Sequence, residues 1–131
     1  MSYILREDQL DVIEDVLRID LDDLHLHSVI LIDLGGNIIA GHNGNGIQHD
    51  LNSLAALAAG NFGAVCTMAE LIGEEDFSLL FNKGKKGNLH FSKVTDDFLL
   101  ITIFGHETSL GFLRLRLSDA TRKIQNALGS S

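Results

Sequence analysis

Polar and apolar positions alternate along this chain with two different periods. In residues 6 to 20, Leu10, Ile13 and Val16 or Leu17 fall three and four apart with acids on the other side, which predicts a short amphipathic helix. SVILIDL (28 to 34) is then a β-branched apolar run that stops at Gly35-Gly36-Asn37 and resumes as IIAGH. That is the pattern of two strands joined by a tight turn, with Gly36 and Asn37 able to supply positive φ. After the glycine-rich stretch GNGIQHD, a long helix is predicted from Asp50, its N-cap, to Ile72, with Gly73 ending it. FSLLFNK (77 to 83), NLHFSKV (88 to 94) and FLLITIFG (98 to 105) read as strands. The connector Gly84-Lys85-Lys86-Gly87 and the pair Asp96-Asp97 make them consecutive hairpins, hence antiparallel neighbours. GFLRLRL begins like a strand, yet Leu110, Leu113, Leu117, Ala120, Ile124 and Leu128 continue at helical spacing, so a helix is predicted over 109 to 128, capped by Thr108 or Ser109. The order α-β-β-α-β-β-β-α is that of an α+β fold in which helices sandwich a five-stranded antiparallel sheet.

The long helix carries the most information. Residues 51 to 69, LNSLAALAAGNFGAVCTMA, hold no charge and are dense in Ala and Gly. A surface helix shows one apolar stripe, whereas a helix apolar all round must be covered on both sides. One side is met by the chain's own sheet and the other by a second copy, whose backbone small residues allow to approach closely. Asn52, Ser53, Asn61 and Thr67 interrupt the stretch and no basic cluster flanks it, which argues against a membrane span. Leu54, Ala58, Phe62 and Val65 share one helix face and are the expected dimer interface, together with Phe77, Leu79 and Phe81 on a strand edge that pairing with its mate would protect. On that reading Ala58→Arg breaks the dimer.

Composition narrows the class. A chain of 131 residues is expected to form a single domain, 1–131. Of its net charge of −8, −6 lies in the first 23 residues, where eight acids face only Arg6 and Arg18. An acidic chain lacks the electrostatic footprint of a nucleic-acid binder, so no nucleic-acid partner is expected. The lone Cys66 cannot form an internal disulfide, and MSYILREDQL lacks the apolar core of a signal peptide, which points to the cytoplasm.

Candidate chemistry is sparse. The six histidines, at 25, 27, 42, 49, 90 and 106, have no partners at zinc-ligand spacing, so no metal is expected. Cys66 lies among apolar helix neighbours without a base, the setting of an inert buried thiol. The glycines at 35, 36, 41, 44 and 46 do not follow the order of a phosphate or dinucleotide loop, and Gly84-Lys85-Lys86-Gly87 lacks the hydroxyl of a Walker motif. Neither catalytic residues nor a cofactor is therefore expected. Lys83, Lys85 and Lys86 at a hairpin tip could steer an acidic partner and, with Asn61, are the candidate partner-binding residues.

Four segments taken in order, SVILIDLGGNIIAG, SLAALAAGNFGAVCTMAELIGE, FSLLFNKGKKGNLHFSKV and LLITIFGHETSLGFLRLRL, resemble the Roadblock family of dynein light-chain related proteins, and most closely its bacterial MglB-like branch. The resemblance runs over about 28–117, and the first helix and the tail beyond about 118 match less well. It implies a five-stranded antiparallel sheet between helices, and homodimers in which the second helix and third strand meet their mates. It further implies a small Ras-like GTPase as partner, held by a scaffold or, in the MglB branch, activated for GTP hydrolysis. An activator works by inserting an arginine or by reordering the GTPase's switches. Arg114 and Arg116, the arginines of the matched region, sit between leucines at helical spacing, so reordering by docking is expected, without an inserted arginine. Two other readings are a small-molecule sensor, with His42 and His49 near a glycine-rich loop, and a dimerisation scaffold without effect on hydrolysis.

Overall fold

The computed structural model describes residues 5–43, 50–73, 78–82 and 87–129. Helix α1 spans Glu7–Asp15, a π-helical turn Val16–Asp20 and a 3₁₀ turn Asp22–Leu24, followed by strands β1 Ser28–Asp33 and β2 Ile38–Asn43. Helix α2 spans Leu51–Leu71, strands β3, β4 and β5 span Ser78–Asn82, Asn88–Lys93 and Phe98–Phe104, and helix α3 spans Leu110–Gly129. The five strands form one sheet in the order β2-β1-β5-β4-β3, with every neighbouring pair antiparallel.

Strands β1 and β5 lie in the middle and are apolar on both faces, because both faces are covered. Val29 and Leu31 of β1, with Phe98, Leu100 and Phe104 of β5, join Ile13, Leu17, Leu113, Leu117 and Ile124 of the first and last helices. The alternate residues Ile30, Ile32, Leu99 and Ile101 pack with Ala55, Ala58 and Phe62 of α2. A period of two in each strand thus feeds two cores, one on either side.

Local chemistry accounts for the element ends. Gln9 ties α1 down twice: its side-chain oxygen accepts from Arg6 N at 2.8 Å, and its Nε2 donates to the Ala127 carbonyl of α3 at 2.9 Å. The expected continuous helix over 6 to 20 gives way at Val16 to a wider π turn, and Val16 and Leu17, adjacent in sequence, are both buried. Thr108 does not cap α3: its hydroxyl donates to the Leu24 carbonyl at 2.8 Å, while Ser109 Oγ accepts from Phe112 N at 3.2 Å and serves as the cap. Asp50 caps α2, accepting from Ser53 N at 3.1 Å, and Gly73, at φ +83°, ends it.

The β1–β2 turn is closed by Asp33, whose carboxylate accepts from Gly35 N, Asn37 N and Asn37 Nδ2 at 2.9 to 3.0 Å. Of the two residues expected to provide positive φ, only Gly36 does, at +89°. A Cβ there would stand 3.0 Å from the Cα of Ala56, so the turn is pressed directly onto the backbone of α2. Gly36→Val should therefore lower the stability to urea by roughly 2 kcal/mol or more through backbone strain and overpacking, with the denaturant slope unchanged. A wild-type midpoint in the variant would show that the turn is not held against the helix.

Candidate functional site

Helix α2 owes its position to its apolar stripe. Ala55, Ala58, Ala59, Phe62 and Ala69 are buried under it, with Leu54, Val65 and Cys66 half-buried at the margins. Among the described residues nothing covers the opposite face. Leu57 is 67% and Leu71 81% exposed, and Met68 and Ile72 lie alongside them in solvent. Of the most apolar 18 residues of this helix only 28% is buried.

Even the polar groups of the exposed face turn inward on the helix. Asn61 Nδ2 donates to the Leu57 carbonyl at 2.9 Å and Thr67 Oγ1 to the Gly63 carbonyl at 3.2 Å. A Cβ added at Gly60 or Gly63 would meet nothing within 4 Å. Glycine inside a helix costs about 1 kcal/mol relative to alanine, and packing within this chain supplies no reason to accept that cost. By length and composition α2 is able to span a bilayer, but its Phe62 face forms the core on one side of the sheet, and a spanning helix would strip that core.

This geometry corrects the expected interface. Leu54, Ala58, Phe62 and Val65 do share a face, but it is the face packed on the chain's own sheet, with Ala58 2% and Phe62 1% exposed. The face open to a second chain is the other one, bearing Ala56, Leu57, Gly60, Ala64 and Met68. A helix apolar all round has no phase that spacing can read, so the stripe was identified and its direction was not. Strand β3 is indeed at a sheet edge, with Leu79 opposite Phe91 and Phe81 opposite Leu89 in its pairing with β4. Phe77, Lys83, Lys85 and Lys86 lie outside the described residues, and Asn61 is exposed on the uncovered face of α2.

The two arginines differ sharply. Arg116 is held in place: its Nη2 donates to the Asp23 carboxylate at 2.6 Å and to the Asp20 carbonyl at 3.1 Å, and its guanidinium lies 5.6 Å from the centre of the Phe112 ring. Arg114 is exposed. Cys66 is half-buried rather than enclosed, at a cleft of about 350 Å³ between α2 and the β4–β5 turn, which Lys93, Asp96 and Leu34 also line. Burial raises its thiol pKa against the opposing pull of Lys93. Among the described residues no three His, Cys, Asp or Glu converge to hold a metal. One residue that spacing did not single out is His90, buried on β4 with neither ring nitrogen hydrogen-bonded.

Residues 14–104 match the Roadblock/LC7 domain. The chain belongs to the Roadblock/LC7 family. The match starts upstream of the segment that carried the resemblance and stops short of α3. Within this family the chain is similar to Myxococcus xanthus MglB, at 33% identity over 91% of this chain and 96% of that one, with a TM-score of 0.81. The gliding protein MglB of Thermus thermophilus shares the Roadblock fold at 24% identity and a TM-score of 0.87, over 99% of this chain and 98% of that one. So does an MglB with a tetrameric arrangement, at 24% identity and a TM-score of 0.86, over 97% and 95% of the two chains. No protein among the curated sequences is matched.

The state of Cys66 is directly measurable. At pH 7.5 its reaction with a disulfide reagent should be severalfold slower in the native protein than in the urea-unfolded chain, because a raised pKa and partial cover both reduce accessible thiolate. Equal rates after correction for the effect of urea on the reagent would show the thiol to be neither shielded nor shifted.

Proposed function

We propose that this Roadblock chain is a homodimeric regulator of a small Ras-like GTPase in the cytoplasm. It acts by docking on the GTPase and reordering its switch segments, as activator or scaffold, and carries no catalytic group of its own. The observation that carries this reading is the uncovered apolar face of α2, most of whose surface a stable soluble chain has to bury against something. The likeness to Myxococcus xanthus MglB at 33% identity supports the partner class, and the tetrameric arrangement of another MglB supports self-association.

In this proposal the two α2 helices cross at Gly60 and Gly63, where the backbones can touch, and Leu57, Ala64 and Met68 close over the crossing. Strand β3, with only β4 as a neighbour among the described residues, adds its open edge. Pairing of that edge would remove an aggregation hazard. Docking without an inserted arginine accords with Arg116, whose guanidinium is already committed to Asp23 and the Asp20 carbonyl.

Two substitutions on α2 separate interface from core. Ala64→Arg, on the exposed face, should leave the chain folded by circular dichroism and convert it to monomer in sedimentation velocity. Ala58→Arg should instead cost several kcal/mol of stability by burying an unpaired charge under the chain's own sheet. A folded dimer in the Ala64→Arg protein would move the interface off α2.

For the partner, immobilised protein should retain a Ras-sized GTPase from source lysate with a slowly hydrolysed GTP analogue and not with GDP. With that GTPase purified, Arg114→Ala should leave stimulated hydrolysis within about twofold of wild type. A fall on the scale of 10³, roughly that of a lost arginine finger, with binding retained, would overturn docking without insertion. Retention of no GTPase in either nucleotide state would overturn the partner class.

A further inference from the structure

The sheet face beneath α3 is apolar except at one place. His90, 2% exposed, lies directly opposite Thr102 in the β4–β5 pairing, with Ser92 two residues further along the same face. Both ring nitrogens of His90, Oγ1 of Thr102 and Oγ of Ser92 are buried and make no hydrogen bond. Their neighbours Phe91 and Ile101 point to the α2 side, which assigns His90 and Thr102 to the side that α3 covers. Four unbonded polar atoms gathered at one point are a departure from ordinary packing, since buried polar groups are nearly always paired.

We propose that His90 is a proton-operated latch for α3: the helix lies closed on the sheet only while the imidazole is neutral, and uptake of one proton from solvent releases its N-terminal half. A neutral ring can be buried among Leu100, Thr102 and Phe104. An imidazolium there would be a cation without a counter-ion. On β4 the same face carries Asn88 and Ser92, on β5 it carries Leu100, Thr102 and Phe104, and the β3 residues at the paired positions are Ser78, Leu80 and Asn82. None of these residues is titratable. Among the described residues the charge acting on the ring is that of Arg114 on α3, of the same sign as the protonated ring, so that burial and charge both hold the His90 pKa below its ordinary value. A charged ring regains water only if α3 lifts, and lifting exposes Leu113 and Leu117, which are buried in the closed state. The latch therefore converts a fall in pH into display of an apolar helix face.

The sign follows from linkage. A histidine whose pKa is lowered in the closed state favours closure at neutral pH, and closure weakens as pH falls below about 6.5, where the open form takes up the proton first. For one such group the opening constant should rise as pH falls from 7.5 to 5.0, with about thirtyfold as the ceiling set by an ordinary histidine pKa in the open form. Native-state hydrogen exchange of the full-length protein reads this directly, at the amides of Arg114 to Leu117 and after correction for intrinsic rates. Wild type should show that rise, and His90→Leu, which keeps the volume and removes the titration, should change less than about twofold over the same range. An equal pH response in His90→Leu, or none in wild type, would overturn the latch. Should His90→Leu fail to fold, the ring resonances of wild type decide. Opening of α3 that tracks protonation of His90 supports the latch, and titration of His90 with α3 protection unchanged overturns it.

Discussion

Everything in this fold depends on the two central strands being apolar on both faces. Strands β1 and β5 send alternate residues to opposite sides of a single sheet, and neither set can be left in water. That requirement places α2 on one side and the α1–α3 pair on the other, and the two coverings are unequal. On one side two helices share the work: Gln9 ties α1 to α3, and the Arg116–Asp23 and Lys123–Asp20 ion pairs tie α3 to the turns that follow α1. On the other a single helix covers the sheet alone.

The single covering helix explains the surface on which the functional reading rests. On α1 and α3, charged side chains interrupt the outer faces, although Val12, Phe112 and Leu115 are exposed among them. With α2 no charge interrupts residues 51 to 69, the exposed polar side chains bond back to their own backbone, and two glycines stand with empty space before them. On the function proposed here, a second copy of the chain completes this layer.

The α1–α3 side carries the opposite exception, a buried polar point in an apolar layer. His90, Thr102 and Ser92 are spaced as any β strand would space them, and nothing in their order distinguishes them from solvent-facing residues. Alternation predicts that His90 and Phe91 face opposite ways, and does not say that both sides are covered.

The sequence by itself determined the elements and their order. Strand and helix periods, turn glycines and the Asp50 cap are local signals, and apart from α1, which ends at Asp15, the structure places element ends within a residue or two of where those signals put them. Local signals failed where two answers were locally equal. The cap of α3 fell to Ser109 because the Thr108 hydroxyl was claimed by the Leu24 carbonyl, 84 residues away. The helical run over 6 to 20 leaves the α-helical pattern at Val16 and continues as a π turn to Asp20. Above all, the face of α2 that meets the sheet was invisible in the sequence, since a helix apolar on all sides has no amphipathic phase to read. Only the tertiary structure, by seating Phe62 and Ala58 on β1 and β5, decided which face was left uncovered.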